Sequence, residues 1–327
     1  MTPDWREVHV VRLPLRVRFR GLVEREAVLL RGPAGWGEFA PFVEYDDAES
    51  ARWLAAAVDS ACTEPPLPLR DAVPVNATVP AVPADEVAGV LARFAGCTTA
   101  KVKVAERGQS LADDVARVGE SRAVLGASGR VRVDANGAWS VDEAVRALSA
   151  LAPYGLEYAE QPCATLEELG RLRVALARAG VDVLIAADES IRKAADPLAV
   201  AAAGSADLVV LKVAPLGGVH QALRVAEQCG LPVVVSSALD TSVWIAAGVA
   251  LAAALPSLPF ACGLGTVSLL GRDVASAPLT PERGELGVEA ARRTTPDPDL
   301  LVELAAPPDR QRWWRERLAR CEAVLRR

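Results

Sequence analysis

The chain has 327 residues, 51% of them hydrophobic and 24% charged, with a formal net charge of −6. That length accommodates one large barrel plus a smaller domain, and the acidic balance excludes a dedicated nucleic-acid binder, which is usually basic. The longest apolar run, residues 243–255, is too short to span a bilayer, and Met1-Thr2-Pro3-Asp4-Trp5 opens no charged-then-apolar leader.

Taken in order, residues 6–18 alternate apolar and basic side chains. With residues 26–30 and the Gly35-Trp36-Gly37-Glu38 turn they predict an antiparallel meander. Residues 48–61 predict a helix with Trp53, Leu54, Ala57 and Val58 inward, and Pro65-Pro66-Leu67-Pro68 reads as a linker. Residues 1–72 thus form a small α+β domain. Residues 74–79 open a second region, followed by a helix over 84–95 and a strand over 98–104. Further apolar runs end near Asp134, Glu160, Asp188, Lys212 and Ser236, at intervals of 26, 28, 24 and 24 residues. Each interval fits one strand, one crossover helix and two loops, and residues 258–263 supply an eighth strand. The cadence predicts an α/β fold, a TIM-type barrel over residues 73–265. Residues 243–255, after the capping cluster Asp240-Thr241-Ser242, read as a buried barrel helix. Beyond Gly265 the cadence stops. Residues 267–270 and 277–287 read as loops and edge strands returning to the first domain, so 266–327 forms a third segment. It closes with an amphipathic helix over 309–327 that turns Trp314, Leu318, Cys321 and Leu325 inward and its arginines to solvent.

Strand ends of a parallel barrel lie side by side on one face. Asp134, Glu160 and Asp188 therefore converge, and acids converge at such cost when a cation holds them; oxygen-only ligands suit Mg²⁺ or Mn²⁺. Glu189 adjoins Asp188, but alternation lets only one point inward, so Glu189 is expected to support the ligands from behind. Lys101 and Lys103, two apart on the second strand, share a face, and Lys212 lies across the mouth. Of 36 basic residues only Lys101, Lys103, Lys193 and Lys212 are lysine. Arginine cannot lose its proton in a usable range, so three inward lysines mark places that need a compact or deprotonatable amine; Lys193 is expected to be solvated. The set suits proton abstraction α to a carboxylate, because a divalent cation and a fixed ammonium stabilise the doubly charged enediolate and a neutral lysine serves as base. Asn136 is either a turn residue or a contact, and Ser236 and Ser237 either cap the next helix or touch ligand. The six cysteines lack metal or redox spacing, which suggests reduced thiols in a cytoplasmic protein. Neither His9 nor His220 ends a barrel strand. A catalytically silent barrel that binds a metal-carboxylate ligand is the alternative from another class; it has no need of deprotonatable groups.

The stretches Ala100-Lys101-Val102-Lys103-Val104, Val133-Asp134-Ala135-Asn136-Gly137-Ala138-Trp139, Tyr158-Ala159-Glu160-Gln161-Pro162 and Ala187-Asp188-Glu189-Ser190 resemble the enolase superfamily, in its branch with a lysine-x-lysine motif on strand two. Val210-Leu211-Lys212, Pro215-Leu216-Gly217-Gly218, Ser236-Ser237-Ala238-Leu239-Asp240-Thr241-Ser242 and Gly35-Trp36-Gly37-Glu38 extend the likeness over essentially the whole chain. The resemblance implies a modified (β/α)7β barrel with an α+β capping domain built from the N-terminal segment and the C-terminal tail. It implies Mg²⁺ on Asp134, Glu160 and Asp188, Lys103 as base, Lys101 holding the carboxylate, and Lys212 as a cation on the opposite face. Ser236, Ser237 and the backbone near Gly263 would seat the rest of a small carboxylate substrate. Dipeptide epimerases of this family usually carry Asp-x-Asp on strand eight, where this chain reads Cys262-Gly263-Leu264-Gly265-Thr266. That favours dehydration over epimerisation of an ammonium-bearing substrate; an N-acylamino acid racemase is the alternative. The loop Val17-Arg18-Phe19-Arg20-Gly21-Leu22 corresponds to one that closes over substrate in this family, and it is short here.

Overall fold

The computed structural model describes residues 5–192 and 197–326; Met1 to Asp4 and Lys193 lie outside the described residues. The N-terminal lobe begins with three antiparallel strands, β1 (Glu7–Phe19), β2 (Leu22–Arg31) and β3 (Trp36–Phe39). The helix Asp47–Cys62 packs across them, its first turn capped by Asp46, whose side chain accepts from the Glu49 amide. Trp53, Leu54 and Ala57 face inward as expected, with Trp53 1% exposed.

After β4 (Ala72–Pro74) come seven parallel strands: β5 (Ala77–Val79), β6 (Thr99–Lys103), β7 (Arg130–Asp134), β8 (Leu156–Glu160), β9 (Ile185–Ala187), β10 (Leu208–Leu211) and β11 (Val233–Val235). Cys262 bridges to Val75 ahead of β5, and Gly263 bridges to Ser236 after β11. These two residues close the sheet into a barrel; the expected eighth strand over 258–263 is reduced to them. Observed strand ends fall within one residue of the expected 134, 160, 188, 212 and 236. The connecting helices begin where the sequence supplies caps. Ser110 with Asp113, Ser140 with Glu143 and Thr165 with Glu168 each form a reciprocal capping box, which satisfies two otherwise orphaned amides per helix.

Four local expectations are corrected. The helix over 84–95 ends at Leu91 and continues as tight turns, because the chain must reverse at Gly96 (φ 76°) to reach β6. The helix Ser242–Ala254 starts at the expected cluster, but Thr241 makes no side-chain cap; the Ser242 amide is satisfied by Asp273 at 3.1 Å. In the C-terminal helix Pro308–Leu325, Trp314, Leu318 and Cys321 are buried while Leu325 is 41% exposed. Arg317 in that helix is buried, not solvated, because its Nη2 donates to Phe42 O, Tyr45 O and Ser50 Oγ of the N-terminal lobe.

The C-terminal segment returns in part to the first lobe, where Leu270 and Ala305 bridge to Leu15 and Val11 of β1. A last short strand, β12 (Glu285–Gly287), pairs instead with β4 beside the barrel. One continuous apolar core runs through lobe and barrel. All six cysteines are free, four of them buried. No described helix is long and apolar enough to cross a membrane.

Candidate active site

Register brings the polar strand ends together. Lys103 on β6 pairs with Asp134 on β7, and Asp134 pairs with Glu160 on β8. Laterally paired residues point to the same face of a sheet, so all three project inward at one height. Lys101 sits one layer lower beside Arg132. Asp134, Glu160 and Asp188 are at most 1% exposed. Such carboxylates need compensation, and the lysines provide it. Lys101 Nζ donates to Glu160 Oε1 at 2.8 Å and Oε2 at 3.0 Å, and lies 3.4 Å from Asp134 Oδ2. Lys103 Nζ reaches Asp134 Oδ2 at 2.5 Å and Asn136 Oδ1 at 2.6 Å. Across the mouth, Lys212 Nζ reaches Asp188 Oδ2 at 2.5 Å.

The lysines of β6 are driven apart electrostatically. Burial lowers the Lys103 ammonium pKa, and neighbouring Lys101 adds to that, against the pull of Asp134. Lys101 is equally buried, yet Glu160 and Asp134 outweigh the burial and raise it. Opposed directions in adjacent titratable groups are how one site holds a base beside a fixed cation. Asp134 is held below its ordinary range: burial opposes this, but Lys103 and Lys101 prevail. Glu160 is pushed up by burial and then by Asp134 and Asp188, with Lys101 pulling against them.

No three His, Cys, Asp or Glu side chains among the described residues form a ready metal-coordination cluster; each acid faces an ammonium instead. The chemistry of the donor set nevertheless fits a hard divalent cation. Every donor is a carboxylate oxygen, and all three acids are at most 1% exposed at adjacent strand ends.

The remaining expected residues also gather here. Asn136 (φ 48°) turns the chain, and its side chain links Lys103 to Glu189 Oε1 at 3.2 Å. Ser237 Oγ donates to Gly263 O at 2.7 Å and lies 2.8 Å from Thr266 Oγ1. Neither Ser236 nor Ser237 caps the next helix, which starts at Ser242. Both serines, Gly263 and the three lysines border one small cavity at the barrel mouth.

Further residues complete the site: the hairpin loop that the family resemblance places over substrate, and Gln161 and Arg132, to which the sequence reading gives no role. Phe19 and Arg20, in the hairpin turn between β1 and β2, close the cavity from the lobe side. The Phe19 ring centroid is 5.5 Å from Lys103 Nζ, and the Arg20 guanidinium stacks 4.5 Å from the Phe42 centroid. The short hairpin thus reaches the site through one aromatic and one cation. Gln161 (φ 37°) accepts from the Asp188 and Ser190 amides at 2.9 and 3.1 Å and donates to Ser190 Oγ at 2.7 Å, which fixes the entry to Asp188. Below, Arg132 is fully buried inside the barrel and donates to Tyr158 Oη and Ala261 O. Left-handed non-glycine residues concentrate around the mouth: Arg20, Ala105, Asn136, Gln161 and Leu239. Such strain persists where the surroundings over-determine it, commonly at functional sites. The adjacent Gln-Pro pair after Glu160 was the available signal for Gln161; for Phe19 and Arg20 the signal was the family resemblance of the 17–22 loop, since their approach is tertiary and has no local pattern.

The family described as enolase C-terminal domain-like matches residues 84–296, and enolase N-terminal domain-like matches residues 10–61. An o-succinylbenzoate synthase of Mycolicibacterium smegmatis is 59% identical over 319 residues, covering 97% of this chain and 96% of its own. One from Thermobifida fusca is 58% identical over 312 residues, 95% of each chain. Among solved structures, muconate lactonizing enzyme from Pseudomonas fluorescens superposes with a TM-score of 0.75 at 22% identity, over 92% of this chain and 98% of its own; that likeness shows the fold alone.

Proposed function

The chain belongs to the enolase superfamily, and from that premise we propose that it is a lyase, an o-succinylbenzoate synthase that converts 2-succinyl-6-hydroxy-2,4-cyclohexadiene-1-carboxylate to 2-succinylbenzoate. The activity follows the relatives that match nearly end to end. Enzymes of this family generally depend on a divalent metal. Asp134, Glu160 and Asp188 would hold it here as Mg²⁺, with Mn²⁺ as a substitute and Glu189 steadying the group through Asn136. When bound, the ion supplies Lewis-acid stabilisation of charge on the substrate carboxylate.

Lys103 removes the proton from the carbon bearing the ring carboxylate. The C–H electron pair moves into the carboxylate, and the enediolate charge faces Lys101 on one side and Lys212 on the other. The C–OH bond then breaks as the ring becomes aromatic. Lys103 returns its proton to the departing hydroxyl, so water leaves from the face that lost the proton. Ser236, Ser237 and the Gly263 backbone border the succinyl arm, and the exposed Arg20 guanidinium meets its terminal carboxylate. Phe19 and Phe42 keep water from the reacting carbon.

The observation that carries this reading is the placement of two inward lysines on one strand: Lys101 Nζ lies against both Glu160 oxygens and Asp134, while Lys103 Nζ is hydrogen-bonded to Asp134 and Asn136 with burial working against its charge. The segment that closes the barrel brings Gly263 and Thr266 to the cavity and no acid for a substrate ammonium, which favours the dehydratase over an epimerase. The six free cysteines suit a cytoplasmic enzyme. The test is to incubate the purified protein with the hydroxy-acid and Mg²⁺ and follow the aromatic product by absorbance. Conversion is expected; an intact protein that yields no 2-succinylbenzoate refutes the proposal.

A further inference from the structure

The loop from β11 to the helix Ser242–Ala254 carries Ser236 to Leu239 along one wall of the cavity. Its shape is unfavourable by itself, because Leu239 sits at φ 65°, a region that crowds Cβ against backbone. A local tie exists within the loop, the Ala238 amide donating to Asp240 Oδ2 at 3.0 Å. The other ties come from the N-terminal lobe. Arg25 on β2, only 4% exposed, donates Nε to Leu239 O at 3.3 Å and Nη2 to Ala40 O. Thr241 Oγ1 donates to Glu38 Oε2 on β3 at 2.5 Å. The Arg25 guanidinium also stacks on Phe42, 4.5 Å from its centroid. Arg20, which also lines the cavity, stacks on that ring at the same distance. One buried cation therefore touches the supports of both walls: the Leu239 carbonyl on the barrel side and the Phe42 platform of Arg20 on the hairpin side. The buried acids Asp240 and Glu38 lie near it, Asp240 exerting the larger pull on its charge, with Arg20 opposing.

We infer that Arg25 is a specificity-determining positioning residue that shapes the subsite for the carboxylate-ended arm of the substrate without touching it. The inference rests on the reading above, in which the Ser236–Leu239 wall and Arg20 seat the succinyl arm. Geometry favours arginine in this role. Its planar fork spans two carbonyls while stacking on a ring, whereas the lysine ammonium is a compact point charge on a flexible stem. Replacing Arg25 by lysine keeps the buried charge and releases the loop.

The test compares two ligands by tryptophan fluorescence in Mg²⁺, using Trp53 at the cavity: 2-succinylbenzoate, which has the arm, and benzoate, which lacks it. Arg25→Lys is expected to weaken 2-succinylbenzoate by about tenfold or more, one decade in Kd, with benzoate changed by less than about twofold. In turnover, KM rises more than kcat falls. Thr241→Val removes the second tie without touching Arg25, is expected to shift the same ligand in the same direction, and carries the test if Arg25→Lys does not fold. Equal losses for both ligands mean general loosening and overturn the inference, as does no loss for either. If the parent protein neither dehydrates the hydroxy-acid nor binds 2-succinylbenzoate, the functional assignment fails first, and that result is read separately.

Discussion

Replacing Lys103 and Lys212 by arginine, one at a time, separates a base from a fixed cation. Lys103 Nζ sits 2.5 Å from Asp134 Oδ2 and 2.6 Å from Asn136 Oδ1 at the buried end of β6. A guanidinium there still neutralises Asp134, so the charge of the site survives. It cannot release a proton, because it stays ionised at any working pH. Loss of a general base costs about 10²- to 10⁴-fold, or about 2.7 to 5.4 kcal/mol at 1.36 kcal/mol per decade. Lys212 contacts Asp188 Oδ2 at 2.5 Å and is asked only to remain positive. Arginine meets that demand with the wrong shape, so its penalty should stay below the roughly 10²- to 10³-fold of deleting an electrostatic donor outright. The assay is kcat/KM for dehydration, together with exchange of the α proton in D₂O and divalent-cation binding measured in parallel. Lys103→Arg should lose both turnover and exchange while still binding the cation. Lys212→Arg should retain measurable turnover. Equal turnover by the two variants would refute Lys103 as base, and equal complete loss would indicate a racemase that uses both lysines as acid and base.

Exhaustive EDTA treatment should abolish activity, and Mg²⁺ or Mn²⁺ should restore it; full activity in the chelated enzyme contradicts the metal assignment. Glu160→Gln preserves size and removes one charge from a buried group, so calorimetry should show weaker cation binding with unchanged circular dichroism, and undiminished binding would remove Glu160 from the ligand set. Away from the site, burial and then Asp240 push Glu38 up to about 8. Its folded pKa lies above the ordinary 4.5, so the folded state holds this proton more tightly and stability falls as pH rises from about 4.5 to about 8. Glu38→Gln should flatten that slope, gaining on the parent by an amount on the order of a few kcal/mol at the alkaline end. Urea midpoints across the pH window measure it, and parallel curves for the two proteins would contradict it.

What the sequence disclosed was what the chain repeats. Parallel strands and crossover helices recur at fixed length, so strand ends at Asp134, Glu160 and Lys212 fell within a residue of their places. Period-two alternation was enough to put Lys101 and Lys103 on one face. Non-periodic features stayed hidden. Phe19 and Arg20 enter the cavity because a hairpin folds over the barrel; no local pattern announces that approach, and only the family resemblance of the 17–22 loop pointed to it. Arg317 reads as a solvent-facing residue of an arginine-rich helix until its acceptors, Phe42 O and Tyr45 O, arrive from a distant loop. The eighth strand shrank to Cys262 and Gly263 because closing the barrel needs only those few backbone bonds. Asn136 turns the chain as one reading expected, and its bond to Lys103 comes from a neighbouring strand that the local sequence does not display.

The account turns on removal of the α proton as the step this site is built to perform. The most direct test is single-turnover conversion of the cyclohexadiene hydroxy-acid carrying deuterium at the carbon that bears the ring carboxylate, compared with the protium substrate. The account predicts that the deuterated substrate forms 2-succinylbenzoate severalfold more slowly in the Mg²⁺-loaded parent enzyme. Equal rates for the two substrates in that single turnover would contradict it.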